Sequence, residues 1–247
     1  MKKLAVIMLA VCALGASAHA YTLTNPFYMP GEGKFMSDTD LSYTRVTGDT
    51  GINIYGLTQT LSYGATNEFQ IGADIGYQYW TKDSNNVNGF VNPNIFGFYR
   101  FMDEEVKADI GASVTLGLFD NDVEAKDYGY NLIGRVGTNM DNFFIGGLLR
   151  LNYTTPDADG ADNTFNTELR AYGIYGINPD LGLGGELAWY RNNYGKDYSF
   201  NEFEILARAD YAIKEDMGIK FYAAYDIVNE DNMDNAFRIG AMLRVLF

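Results

Sequence analysis

Apolar and polar side chains alternate one by one along segment after segment of this chain, and nothing else in it constrains the fold as strongly. Over 68–80, Phe69, Ile71, Ala73, Ile75, Tyr77 and Tyr79 share one parity, and Glu68, Gln70, Gly72, Asp74, Gly76 and Gln78 share the other. Successive side chains of a β-strand point to opposite sheet faces, so this spacing predicts a strand with one apolar and one polar face. Val106, Ala108, Ile110, Ala112, Val114, Leu116 and Leu118 repeat the pattern, as do Phe203, Ile205, Ala207, Ala209, Tyr211 and Ile213. So do Phe237, Ile239, Ala241, Leu243, Val245 and Phe247. No helical period and no apolar run of about 18 residues follows residue 21, so membrane-spanning helices are not expected.

Counting such segments predicts about twelve strands, the first near 34–47 and the last near 235–247. The connectors alternate as well. Gly64–Asn67, Met102–Glu105, Asn139–Asn142, Asn178–Asp180 and Lys214–Asp216 are tight, whereas 81–88, 119–127, 154–163, 191–199 and 228–234 are longer. Tight turns on one rim and longer loops on the other match an up-and-down barrel with both termini on the tight-turn side. The expected fold class is all-β, a membrane-spanning antiparallel up-and-down β-barrel of about 12 strands.

Charge decides which face is outside. The polar face carries Asp, Glu, Arg, Asn and Gly, while the apolar face ends in aromatic residues at both rims. Tyr77, Tyr79, Tyr128, Tyr130, Tyr153, Trp189 and Tyr225 lie toward the long-loop rim. Tyr63, Phe69, Tyr99, Phe143, Tyr175, Tyr211 and Phe247 lie toward the tight-turn rim. Two aromatic belts around an aliphatic band suit a wall that faces lipid, with the rings at headgroup level. A secreted soluble barrel with an aromatic core would account less well for belts at both ends. In hydrocarbon, only a closed sheet lets strands pair every backbone group.

These segments, ending Ala236-Phe237-Arg238-Ile239-Gly240-Ala241-Met242-Leu243-Arg244-Val245-Leu246-Phe247, resemble bacterial outer-membrane β-barrel proteins, of small porin-like type. The resemblance is architectural and covers about residues 34–247. It implies that Phe247 is read by the barrel-assembly machinery, and that lipids and lipopolysaccharide surround the wall. It also implies residence in the bacterial outer membrane.

Residues 1–20 read as a cleaved signal: Lys2 and Lys3, an apolar run from Leu4 to Leu14, and Ala18-His19-Ala20. Residues 21–33, with Asn25-Pro26 and Met29-Pro30-Gly31, are a turn-rich periplasmic leader, and 34–247 the transmembrane barrel. Losing Lys2 and Lys3 moves the formal charge from −14 to −16. So acidic a chain is a poor partner for nucleic acid. The only Cys, Cys12, and the only His, His19, leave with the signal. A thiol nucleophile, a disulfide, a Ser-His-Asp triad and a histidine metal ligand are thereby excluded. No catalytic residue, cofactor or metal site is assigned. The outer-membrane barrel enzymes that come into consideration rely on a His.

The inward parity places Arg135, Arg150, Arg170 and Arg208 facing Asp74, Asp109 and Glu186 near mid-height, as candidate pore-lining residues. Arg135, Arg150 and Arg170 would form a basic stripe on three consecutive strands. The stripe reads either as a selectivity wall for anions or as one side of a structural ion-pair network. Inward Gly72, Gly76, Gly111, Gly117, Gly182 and Gly184 either widen a passage or relieve crowding in the sheet. The acidic loop stretches 120–124 and 157–162 lack a complete calcium-loop pattern and suit solvated surface. The expected function is a passive channel for small hydrophilic solutes through a charged lumen. The alternative is a non-conducting structural or surface-interaction barrel working through acidic outer loops.

Overall fold

The computed structural model describes residues 23–48, 51–82, 85–157, 162–194, 198–228 and 234–247. The signal over 1–20, with Cys12 and His19, and residues 158–161 of the second acidic loop lie outside the described residues. Twelve strands follow one another: β1 (Phe35–Val46), β2 (Asn53–Gly64), β3 (Phe69–Lys82), β4 (Asn85–Asp103), β5 (Val106–Thr115) and β6 (Tyr128–Met140). Then come β7 (Phe143–Thr155), β8 (Thr164–Asn178), β9 (Leu181–Tyr194), β10 (Tyr198–Lys214), β11 (Met217–Val228) and β12 (Ala236–Leu246). Each pairs antiparallel with its sequence neighbours, and β12 closes on β1. The result is an all-β, closed antiparallel barrel of twelve strands with no helix among the described residues.

Exposure is inverted relative to a soluble barrel. Leu187 is 60% exposed and Ile205 53%, whereas Asp109 is 1% exposed and Asp210 0%. The apolar parity is therefore the outer face and the charged parity the inner one, as the alternation predicts. Closure is completed at the tight-turn rim. There the backbone N–H of Phe35 donates to the carbonyl of Phe247 at 2.7 Å and the reverse bond is 3.0 Å. The Phe35 and Phe247 rings stack at 5.8 Å between centroids.

Two connectors expected to be long are short, because the strands climb further. The pairs Tyr79↔Asn88 to Lys82↔Asn85 extend β3 and β4 through the expected loop 81–88, leaving 83–84 between them. Likewise β9 and β10 run to Tyr194 and from Tyr198. The segment 116–118 departs the other way. It was expected to end β5, but β5 stops at Thr115. Its backbone is taken instead by the buried Asn92, whose Oδ1 accepts from the N–H groups of Leu118 (2.9 Å) and Phe119 (2.8 Å).

Some inward glycines are spaces already filled. A Cβ at Gly72 would strike the Phe96 ring, one at Gly111 the Phe98 ring, and one at Gly240 the Tyr222 ring. In each case an aromatic side chain from the neighbouring strand lies across the glycine. This supports the crowding reading at these positions and removes them as evidence of a wide bore.

Candidate functional site: the barrel interior and its leader

Register builds the interior charge lattice. Antiparallel pairing sets Arg100 opposite Asp109 and Asp109 opposite Arg135, so the three form one row across β4, β5 and β6. Asp109 Oδ1 accepts from Arg100 Nε at 2.7 Å and its Oδ2 from Arg135 Nη2 at 2.6 Å. Farther round, Glu168 joins Arg150 (2.8 Å) to Arg170 (2.7 Å). Arg170 also reaches Glu186 at 2.8 Å and Glu204 at 2.7 Å. Arg208 holds Glu186 at 2.8 Å and Asp210 at 2.6 Å, and Arg244 holds Asp38 at 2.6 Å. Arg238 completes the set on Glu204.

All these pairs, among the described residues, join groups on the same strand, the next strand or the next but one. They run around the wall and leave the bore uncrossed. Each carboxylate meets at least one guanidinium, the pairing that makes a buried charge tolerable.

What crosses the bore is the leader. Residues 23–30 lie inside the tight-turn end of the barrel, with Leu23, Thr24, Asn25, Phe27, Met29 and Pro30 buried. The chain re-enters the wall where Glu32 bridges Gly64 and the N–H of Gly33 donates to the Gly64 carbonyl at 2.9 Å. Inside, a turn forms because Asn25 Oδ1 accepts from the Phe27 N–H at 2.8 Å. Such a segment has no strand partner for its carbonyls, so side chains must satisfy them.

Four arginines on opposite walls do so. Arg244 donates to Leu23 (2.8 Å), Arg208 to Thr24 (2.8 Å), Arg135 to Pro26 (2.9 Å) and Arg100 to Phe27 (2.5 Å). Phe27 anchors the turn in an apolar cluster with Phe144, Tyr172 and Ile174. The Arg135 guanidinium lies 4.0 Å from the Phe98 ring centroid and 5.3 Å from that of Phe27. Tyr28 is half-buried beside this cluster, and burial raises its phenol above the ordinary value, with Arg244 pulling the other way.

The seven residues picked from parity therefore divide. Arg135, Asp109, Arg208 and Glu186 are buried in the lattice, and Arg135 and Arg208 also hold the leader. Arg170 is engaged by three carboxylates and by Tyr190. Arg150 keeps 42% of its side chain accessible. Asp74 meets Asn94 at 3.0 Å.

Arg150 and Asp74 line a cavity of about 450 Å³ on the long-loop side of the leader, together with Asn94, Phe96, Phe98 and Asn131. Glu124 also lines it, brought in because Asn92 ties down the segment 116–127. Burial raises the Glu124 carboxyl above its ordinary value; the Asn92 hydrogen bond lowers it and nearby Asp127 raises it. Arg150 also borders a second cavity of about 240 Å³ reaching Thr24 and Pro26 of the leader. A third, of about 300 Å³, separates Tyr28 and Met29 from Arg100 and Lys107.

Parity did not single out Asn92, Phe96, Phe98 or the leader. Asn92 and its neighbours sit at a register shift in the pairing of β3 with β4 between Asp74 and Gly76, which simple alternation cannot anticipate.

No protein-family model matches the sequence, and no curated protein matches it at the sequence level. Solved structures do match the fold. The COG4313 outer membrane channel from Pseudomonas putida F1 superposes with a TM-score of 0.72 at 9% identity, covering 90% of this chain and 98% of that one. The translocator domain of autotransporter NalP from Neisseria meningitidis gives 0.58 at 13% identity, covering 90% and 91%. The NanC porin gives 0.56 at 15% identity, covering 82% and 98%. The fold is that of bacterial outer-membrane β-barrels.

Proposed function

We propose that this barrel is a passive channel for small hydrophilic solutes in a bacterial outer membrane, with a charged lumen that the leader narrows at the tight-turn end. The observation that carries this reading is the course of the ion pairs. They run around the wall, so the lattice stiffens the barrel without bridging the bore. Three cavities along the interior add support, and the two that share Arg150 are lined mainly by polar groups. The similar structures include an outer membrane channel and a porin. On this reading the signal is cleaved, Phe247 engages the assembly machinery, the outer belts contact lipid and lipopolysaccharide, and the protein is not an enzyme. Arg150 and Asp74 meet the solute directly, while Arg135, Arg170, Arg208, Asp109 and Glu186 shape the wall behind them.

The leader favours a second reading, a barrel that conducts nothing, because four arginines hold it across the bore. Single-channel recording of the refolded protein in a planar bilayer separates the two. Discrete openings are expected, with Arg150→Glu moving the reversal potential toward cation preference. Silence of the whole chain, with openings once residues 23–30 are removed, would make the leader a plug. Silence of both folded proteins would establish the structural reading.

A further inference from the structure

We infer that the cavity bounded by Asp74, Glu124 and Arg150 is a binding site for a small zwitterion of the α-amino-acid type. This rests on the channel reading only in naming which solute dwells in the bore; the site is testable without transport. The cavity, at about 450 Å³, falls in the range of small-molecule sites. Its charges are of both signs and come from separate parts of the fold. Asp74 belongs to β3, Glu124 to the segment between β5 and β6, and Arg150 to β7.

Their partners leave capacity for a ligand. Asp74 is hydrogen-bonded by the neutral amide of Asn94, and Glu124 by that of Asn92 at 3.3 Å. Neither carboxylate has a cationic partner within 4.0 Å among the described residues. Arg150 gives Nη1 to Glu168, and 42% of its side chain remains accessible. Its guanidinium has further N–H donors in a planar fork that matches a carboxylate.

Singly charged solutes fit poorly. An anion drawn to Arg150 meets the two acids, and a cation drawn to the acids meets Arg150. A molecule carrying both charges places its carboxylate on Arg150 and its ammonium between Asp74 and Glu124. Phe96, Phe98 and Ile133 supply an apolar wall for a short side chain.

The test is calorimetric titration of the refolded chain in detergent micelles with three solutes of one shape. These are L-leucine, 3-methylbutylamine, which lacks the carboxylate, and 4-methylpentanoate, which lacks the ammonium. Leucine is expected to bind at least about tenfold more tightly than either, since each lost charge pair costs about 1.4 kcal/mol or more. Arg150→Gln should erase the advantage over the amine, and Asp74→Asn or Glu124→Gln the advantage over the carboxylate. Glu124→Gln lies outside the strands, so it keeps the test valid if Asp74→Asn fails to fold. Equal binding of the three solutes, or none by leucine, overturns the site even if the barrel conducts. Selective binding by a barrel that never opens would sustain the site and sink the channel.

Discussion

Arg208 on β10 donates from Nη2 to the carbonyl of Thr24 at 2.8 Å, although 184 residues separate them in sequence. The same guanidinium is held by Asp210 and Glu186, so its aim is set by the wall before the leader arrives. Arg100, Arg135 and Arg244 repeat the arrangement. The lattice thus presents a ring of preset donors, and the leader supplies the carbonyls.

Phe27→Ala should loosen the leader without unfolding the barrel. Phe27 is 2% exposed against Phe144 and Tyr172, and truncating a buried Phe costs about 3–5 kcal/mol. Amide exchange of 23–30 is expected to quicken by about two orders of magnitude or more, while the strands keep their protection. Hydrogen-exchange mass spectrometry of the micellar protein reads both.

Asp109→Asn should destabilise the barrel itself. The carboxylate is buried and shared by Arg100 and Arg135, so losing its charge leaves the Arg135 guanidinium without its counterion and Arg100 with only the exposed Asp103 at 3.4 Å, a loss of about 3–5 kcal/mol. Asp216→Asn, at an exposed pair with Lys214, should change stability by less than about 1 kcal/mol. Urea unfolding in micelles compares the two, and equal midpoints would refute the asymmetry.

Asn92→Ala should free the segment 116–127. Asn92 makes four hydrogen bonds, to Leu118, Phe119, Glu124 and Ala125. With each worth roughly 0.5–1.5 kcal/mol, exchange at Leu118 and Phe119 should rise at least tenfold. Binding at the Glu124 cavity should weaken with it.

Docking of the leader should weaken at high pH. Burial raises the Tyr28 phenol above its ordinary 10.0, so the undocked leader loses that proton first. The docked state binds more protons between pH 10 and the raised value, and its stability therefore falls as pH increases through that window. Below pH 10 this contribution is constant. Protection of 23–30, taken relative to the intrinsic base-catalysed exchange rate, should fall between about pH 9 and 11.5, and Tyr28→Phe should flatten that fall.

Strand content and sidedness were legible because both depend on a period of two that each strand carries by itself. Glu68 to Trp80 displays its lipid face and its inner face without reference to any neighbour, and β3 forms there. Parity also assigned Arg135, Arg170, Arg208, Asp109 and Glu186 to the interior, where the structure has them. It left open whether the arginines face a solute or an acid. For the pairs between strands, that depends on which carboxylate sits at the same height on a neighbouring strand, and register decides it.

The amino-acid sequence by itself therefore determined a closed, lipid-facing barrel of twelve strands, since the alternation and the belts are local properties of each segment. Only the tertiary structure decided that Asn25 to Phe27 cross the bore, that Asn92 draws Glu124 inward, and that Arg150 keeps an accessible face. The physical reason is that each outcome requires groups far apart in sequence to satisfy one another's hydrogen bonds. Closing the barrel brings those groups within reach, and no periodicity along the chain encodes the distance between them.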